Sequence, residues 1–474
     1  METLEQITSA VGNALSDWLL IPMLLVAAVW FTLRTRGVQF GMAGEMCRLL
    51  VAREPGSPAD NERHHRISSF QAFMVSIASR VGTGNLAGVA TAIVMGGPGA
   101  VFWMWVIALI GSASAFIEST LAQLFKVPDE KGGYRGGPAY YILHGTGQRW
   151  WAAIFAVLIA VTFGFAYNSV QSNTISEAFS TSWGVPTWAT ATVITALTLI
   201  IIWGGIRSIA RFSQVVVPVM AVAYIALSLI IVLLNLEAVP RVLALIFENA
   251  FGVNQAVGGT VGAAMAMGIR RGLFSNEAGE GSAPNVAATA HVSHPVKQGL
   301  VQALGVFTDT LIICSCTAFI ILCSGVHIGS EAQGISLTQA AVDAQIAPGT
   351  GLGPAFISLA ILFFAFTSIV ANYYYGETNI RFLTGREWVL TAYRLCVGAM
   401  VLIGGVSSLG FVWSLADITM SLMAICNLAA ILVLGRYAVR CLDDYRAQRR
   451  AGHNPRYRRS TIPELSAKTP CWPE

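Results

Sequence analysis

Two stretches of this chain gather small, polar and helix-breaking residues inside otherwise apolar runs: Arg80-Val-Gly-Thr-Gly-Asn-Leu-Ala-Gly88 and Arg271-Gly-Leu-Phe-Ser-Asn-Glu-Ala-Gly-Glu-Gly-Ser-Ala-Pro284. Gly279, Gly281 and Pro284 dismantle helical geometry around Ser275, Asn276 and Ser282, and three glycines do the same around Thr83 and Asn85. The chemistry open to such a segment is ion binding. A broken helix leaves amides free for anions and carbonyls free for cations. At membrane depth, irregular backbone is tolerated only where it lines a cavity or is buried in protein.

The elements that must hold these segments are membrane spans. Of 474 residues, 55% are hydrophobic and 11% charged, against roughly 25% charged in an average soluble domain. Apolar runs long enough to cross a hydrocarbon core of roughly 30 Å as helices recur at 18–33, 69–94, 99–125, 150–180, 187–205, 213–234, 256–290, 298–324, 352–380, 388–407 and 412–435. Barrel strands would alternate in polarity, and these runs do not. The sequence therefore predicts an all-α polytopic membrane protein with about eleven transmembrane helices. The first run follows Glu2, Glu5 and Asp17 rather than a basic leader, so it reads as a retained span. The eight cysteines follow no metal or disulfide spacing and read as packed thiols. A net charge of +4 implies no nucleic-acid partner, because the basic residues sort by membrane side.

Cytoplasmic loops carry the excess of Lys and Arg. Arg34, Arg36, Arg48, Arg53, Arg63 and Arg66 follow the first span; Lys126, Lys131, Arg135 and Arg149, then Arg207 and Arg211, then Lys297, then Arg381, Arg386 and Arg394 each follow two more crossings. Opposite-side loops offer only Arg241. The N-terminus is expected outside and the C-terminus cytoplasmic, in an integral plasma (inner) membrane protein. The basic, Pro-interrupted tail from Arg436 is expected to be weakly ordered.

Each break lies in the first of five consecutive spans, and an odd number of spans per unit inverts one unit against the other, the pattern of a transporter with a midplane site. The expected organisation is an extra N-terminal helix and cytoplasmic loop (1–66), a first five-helix repeat (67–236), an extracellular linker (237–255), a second repeat (256–435) and the tail (436–474). The breaks and their neighbours also resemble a known family. Gly82-Thr-Gly-Asn-Leu-Ala-Gly-Val-Ala-Thr-Ala92, Gly96-Gly-Pro-Gly-Ala-Val-Phe-Trp-Met-Trp105 and Gly272-Leu-Phe-Ser-Asn-Glu-Ala-Gly279 are similar to the alanine or glycine:cation symporters of the amino acid-polyamine-organocation superfamily. Gly136-Gly-Pro-Ala-Tyr-Tyr141, Gln171 with Asn173, Val306-Phe-Thr-Asp309 and Tyr374-Tyr-Gly-Glu377 extend the resemblance over about residues 69 to 380. It implies a leucine-transporter-like 5+5 inverted repeat with one helix in front. It also implies symport of a small amino acid with Na⁺, or less often H⁺, needing no further cofactor and no obligate protein partner besides membrane lipid.

A zwitterionic substrate needs donors and acceptors, since burying either charge alone costs several kcal/mol. Thr83, Gly84 and Asn85 are the candidates for its carboxylate, and Phe274, Ser275, Asn276 and Gly279 for its ammonium. Gln171 could complete the shell or simply bridge helices. By the resemblance, Na⁺ would lie among Thr367, Ser368 and carbonyls near Ile77, Ala78 and Gly82. Intramembrane charges are functional candidates by default. Arg80, Arg270 and Arg271 face a pool of Glu118, Glu277, Glu280, Asp309 and Glu377; pairs among these, chiefly Arg80, Arg271, Glu277 and Asp309, are expected to gate or brace the broken helices, and Glu280 could carry a proton. Where members of the family carry Gly-Trp before the Tyr-Tyr-Gly-Glu run, this chain has Ala371-Asn372, which would enlarge or polarise the pocket. An intramembrane hydrolase is disfavoured, because the seven histidines lie in loops, at span ends or in the tail, away from any candidate Ser nucleophile. A channel needs no internal inverted repeat.

Overall fold

The computed structural model describes residues 2–52, 67–129, 132–252, 261–327, 332–346 and 348–474. Arg53, Arg63, His64, His65, Arg66, Lys131 and the start of the expected seventh span (256–260) lie outside the described residues. Their regular structure is helical apart from one antiparallel hairpin, β1 (Val127–Pro128) and β2 (Tyr134–Arg135).

Among the described residues, eight helices are long and apolar enough to cross a membrane. They are α1 (Gln6–Arg34), α5 (Gly99–Leu124), α7 (Arg149–Trp183), α9 (Gly205–Leu234), α13 (Pro295–Ser324), α15 (Leu352–Leu383), α16 (Glu387–Val406) and α17 (Leu409–Arg450). Shorter pieces complete the bundle: α2 (Ala43–Val51), α3 (Ser69–Arg80), α4 (Gly84–Gly96), α6 (Pro138–Thr146), α8 (Thr187–Ile202), α10 (Val239–Ala250), α11 (Val261–Asn276), α12 (Pro284–Ala287) and α14 (Gly334–Asp343). Three expected spans are therefore not single long helices. The 187–205 run stops after 16 residues. The 69–94 and 256–290 runs are interrupted where their Gly-rich segments fall.

Local chemistry explains the interruptions. The α3 helix starts on a capping box, Ser68 Oγ accepting from Gln71 N at 3.1 Å and Gln71 Oε1 from Ser68 N at 3.1 Å. It ends at Val81, which is extended (φ −80°, ψ 95°), and the chain resumes one residue past Thr83 as a wide π-turn over Gly84–Gly88. After α11 the chain runs irregularly from Glu277 to Ala283. Gly279 (φ 93°) and Gly281 (φ 83°) take backbone conformations that a side chain would strain, and Glu277 (φ 56°) takes one despite its side chain. At one end of the bundle the two broken segments are clasped: Ile67 and Ala290 form a parallel bridge, and His291 N donates to Ile67 O at 2.9 Å.

The α5 helix packs against α1, α11, α13 and α17, and α7 packs against α15 and α16. The helix α1 begins well before residue 18, and its Asn13 and Asp17 are bonded by Arg270. The tail departs from expectation more sharply. The helix α17 runs on to Arg450, and the residues after it fold back instead of being weakly ordered. Tyr457 and Trp472 are buried, Tyr457 N donates to Ser293 O at 2.9 Å, and Trp472 Nε1 donates to the carbonyls of Gln123 and Leu124 at 3.2 Å each. Composition hides this, because two aromatic anchors outweigh the surrounding basic residues.

Candidate binding site

The first break is held open by side chains from three other helices. Gly82 N, whose helical acceptor would be the Ala78 carbonyl, donates instead to Asn85 Oδ1 at 2.9 Å. Thr83 N, whose acceptor would be Ser79, donates to Gln171 Oε1 at 2.9 Å, and Thr83 Oγ1 donates to the same oxygen at 2.8 Å. One amide oxygen from α7 thus occupies the mouth of the restarted helix, the place where helix geometry favours an anion. Asn85 Nδ2 reaches across to Asp309 Oδ1 at 2.7 Å, and Asp309 Oδ2 accepts from Ser275 Oγ at 2.8 Å and Thr310 Oγ1 at 2.9 Å. The Asp309 carboxylate therefore ties the two breaks together. A Cβ at Gly84 would lie 3.0 Å from Ser275 Cα, so only glycine lets the segments approach this closely.

The second break is organised from α5 and α17. Gly279 N and Gly281 N donate to the two oxygens of Glu118 at 3.2 and 3.1 Å. Asn427 Nδ2 donates to Glu118 Oε2 at 2.8 Å and to Gly279 O at 2.9 Å, while its Oδ1 accepts from Tyr141. Ala278 N turns to Asn276 Oδ1 at 3.0 Å. With the amides of Ala278 and Gly279 turned elsewhere, the carbonyls of Phe274 and Ser275 lose their helical donors and become acceptors for a cationic group. Asn276 Nδ2 is buried and has no hydrogen-bond partner, a donor whose burial is costly unless a ligand fills it. Glu277 accepts from Ser79 Oγ at 2.5 Å and Ser282 Oγ at 2.6 Å, bracing the end of α3 against the second break.

Ser368 on α15 faces the end of α3. Its Oγ lies 2.8 Å from Ala78 O, 3.3 Å from Val81 O and 3.0 Å from Phe364 O. A hydroxyl can donate to only one of three acceptors, so the convergence leaves surplus lone pairs of the hard-oxygen kind that suit Na⁺ better than a further donor. Thr367 Oγ1 adds an oxygen, itself 2.8 Å from Phe364 O. Of the expected carbonyls, Ala78 O lies at Ser368 Oγ, while Ile77 O accepts from Val81 N at 2.8 Å and Gly82 O from Asn85 N at 3.3 Å; the carbonyls of Val81 and Phe364 also lie beside Ser368 Oγ. Gly82 matters here through its missing side chain, since a Cβ would collide with Ser368 Oγ and sit 2.8 Å from Gln171 Oε1.

An aromatic stack covers the other side of the site. Tyr167, Phe274 and Trp413 follow one another with ring centroids 4.4 and 4.7 Å apart, and the Arg271 guanidinium lies 4.2 Å over the Trp413 ring. Arg271 is fixed by both oxygens of Asp417, at 3.1 and 2.8 Å. Arg270 bonds Asn13 Oδ1 and Asp17 Oδ1, each at 2.6 Å. Two guanidiniums thus meet two carboxylates, Asp17 and Asp417, and neither acid belongs to the expected pool. Arg80 forms no ion pair among the described residues; its Nη1 donates to Gln302 O at 3.1 Å where Gly305 leaves room. Glu277 and Asp309 are held by hydroxyls and amides instead. The reason is reach: α11 presents its arginines to α1 and α17, away from the carboxylates of its own broken end. Asn372 Oδ1 lies 2.7 Å from Ser79 Oγ, competing with Glu277 for that hydroxyl's single proton, and its Nδ2 donates to Asn168 Oδ1 at 3.1 Å.

The structure therefore brings together Thr83, Gly84, Asn85, Gln171, Phe274, Ser275, Asn276 and Asp309 on one side, with Ala78, Thr367 and Ser368 beside the first break. Glu277 and Asn372 meet at Ser79, and Gly279 is engaged by Glu118 and Asn427. Missing from the sequence reading were Val81, Phe364, Trp413, Asp417 and Asn427. A signal existed for two of them, as Asp417 and Asn427 are polar residues inside an apolar span.

Residues 1–459 match the family model described as the sodium:alanine symporter family. The chain is 47% identical over 472 residues to the probable sodium/glutamine symporter GlnT of Bacillus subtilis, covering 100% of this chain and 97% of that one. It is 48% identical over 466 residues to the amino-acid carrier protein AlsT of the same organism, covering 98% and 97%. Among solved structures, MhsT in complex with L-phenylalanine matches with a TM-score of 0.55 at 14% identity, over 85% of this chain and 92% of that one. That likeness is one of fold, and the fold is leucine-transporter-like. The two breaks, their meeting around Asp309 and the family match over nearly the whole length lead to one conclusion: the chain belongs to the sodium:alanine symporter family and is an integral membrane transporter, not an enzyme.

Proposed function

We propose that this protein carries a small neutral amino acid into the cell together with Na⁺, by alternating access around the site between the two broken helices. The observation that supports this most directly is the state of the freed backbone. Thr83 N–H is satisfied only by the Gln171 side chain, and the carbonyls of Phe274 and Ser275 have lost their helical donors. A substrate carboxylate takes the place of Gln171 Oε1 at Thr83 and receives Asn276 Nδ2. The ammonium takes the freed carbonyls. Na⁺ takes Ala78 O, Val81 O, Phe364 O, Ser368 Oγ and Thr367 Oγ1.

The cargo is bulkier or more polar than alanine. Asn372 places an amide, tied back to Ser79 and Asn168, where a large aromatic ring would close the pocket, and the relative GlnT is named for glutamine. Proton coupling is the second reading. It is favoured by Glu280, a fully buried carboxyl whose two oxygens share a single donor, the Tyr167 hydroxyl at 3.1 Å. The test is uptake of labelled alanine, glycine and glutamine into proteoliposomes under imposed Na⁺ or H⁺ gradients. Uptake indifferent to both gradients overturns coupled symport, and strict preference for alanine or glycine overturns the larger cargo. Uptake driven by H⁺ alone and lost in Glu280→Gln would select the second reading.

A further inference from the structure

A cavity of about 130 Å³ lies at the end of the bundle that carries the basic loops, and it shares no residue with the site described above. Ile67 and Thr289, at the clasped ends of the two broken segments, form one wall; Glu377 and Arg381 of α15 form another, and Asp129 and Arg135 of the hairpin a third. The size suits a very small ligand. An apolar cavity of about 150 Å³ takes up benzene, and alanine has the same number of heavy atoms.

Among the described residues the lining is charged yet balanced, two acids against two bases. Arg135 pairs with Asp129. Glu377 uses one oxygen only: Oε1 accepts from Arg381 Nε at 3.1 Å and lies 3.8 Å from Arg394 Nη2. Its Oε2 is buried and has no hydrogen-bond partner among the described residues. A carboxylate oxygen left in that condition is destabilised unless a donor arrives. An anion meets Glu377 unfavourably, and a simple cation gains nothing from Arg135 and Arg381. A ligand bearing both charges a few ångströms apart satisfies both ends.

Position adds to the argument. Glu377 stands five residues beyond Asn372 on an unbroken helix, about 7.5 Å along its axis, and the cavity lies beside the bridge between Ile67 and Ala290 that joins the two broken segments at this end. We propose that this cavity is a second amino-acid site, a release station that the zwitterionic cargo occupies after leaving the central site, with its ammonium on Glu377 Oε2 and its carboxylate on Arg135. The inference rests on the symport reading and on the basic loops facing the cytoplasm.

Equilibrium dialysis of the purified full-length chain in detergent, with labelled L-alanine in the presence and absence of Na⁺, tests it. Two binding steps per chain are expected. One requires Na⁺ and disappears in Asn276→Ala. The other needs no Na⁺, because the cavity shares no residue with the Ser368 cation site, and weakens at least about tenfold in Glu377→Gln and in Arg135→Gln, which keep the Na⁺-dependent step. Arg135 lies on a surface hairpin, so its variant serves if the α15 substitution fails to fold. A single, Na⁺-dependent step in the unmodified chain, or a Na⁺-independent step that neither substitution alters, overturns the proposal. Loss of the Na⁺-dependent step from the unmodified chain would instead overturn the symport reading on which it stands.

Discussion

Replacing Ser368 by alanine deletes one oxygen from the candidate cation site and little else. The hydroxyl stands 2.8, 3.0 and 3.3 Å from three carbonyls, and without Na⁺ it can satisfy only one of them, so the cation-free protein loses about 1 kcal/mol. With Na⁺ bound, the same oxygen faces a full charge in a buried site, where such interactions contribute roughly 1.5–3 kcal/mol. The difference, roughly 0.5–2 kcal/mol, raises the half-saturating Na⁺ concentration by about 2- to 30-fold. The assay is initial uptake of labelled substrate into proteoliposomes across a Na⁺ series at constant ionic strength, with thermal unfolding to confirm that the variant is intact. Thr367→Val, which keeps the side-chain volume, should move the same parameter in the same direction. A folded Ser368→Ala protein with unchanged Na⁺ dependence would refute the assignment, as would loss of uptake that saturating Na⁺ does not relieve in part.

Gly82→Ala should abolish uptake while leaving the bundle folded, since the added Cβ reaches into Ser368 Oγ and Gln171; uptake assays with a detergent gel-filtration profile check this. Asp417→Asn removes the carboxylate shared by Arg271 and Arg270 and should destabilise the protein by about 3–5 kcal/mol, read as a fall in unfolding temperature; the double variant Asp417→Asn with Arg271→Gln should recover part of it. Asn372→Trp should narrow the cargo range toward alanine and glycine in competition assays, with glutamine losing most. Trp472→Ala should free the folded-back tail, because the indole is buried and caps the end of α5, and limited proteolysis should then cut between Arg456 and Arg459 faster than in the parent chain.

What the sequence made legible was whatever depends on local composition. Gly82, Gly84, Gly279 and Gly281 announce breaks because no neighbour can restore a helix there, and the positions of the breaks in two sets of five spans announce inversion. Thr83, Asn85, Ser275 and Asn276 then follow as the polar residues nearest each break. Less legible was anything set by the direction in which a side chain leaves its helix. Arg271 and Glu277 lie less than two turns apart, yet one turns to Asp417 on α17 and the other to Ser79 on α3. The carbonyl of Val81 reaches Ser368 Oγ because the helix ends in a single extended residue, a detail of one ψ angle. The tail defeated a compositional rule, since Tyr457 and Trp472 act individually and an average over nine basic residues conceals them.

The arrangement also suggests how two binding functions can share one transport path. The helix α15 is unbroken over 32 residues and carries Ser368, Asn372 and Glu377 at successive levels, spanning about 13.5 Å of axis. The opposing wall consists of α3, α4, α11 and α12, whose ends are pinned by side chains rather than by continuous helical bonds. Each pin is a discrete contact that a ligand can replace: Gln171 at Thr83, the Ser368 hydroxyl at Ala78 and Val81, the Ile67–Ala290 clasp beside the cavity. A rigid rail facing a wall with exchangeable fastenings lets occupancy at one level bias the fastening at the next, without requiring the rail itself to bend. On this view Na⁺ acts by tying α3 to α15 at Ser368, and the coupling between ion and amino acid arises because both draw on the same three-residue break at Val81, Gly82 and Thr83.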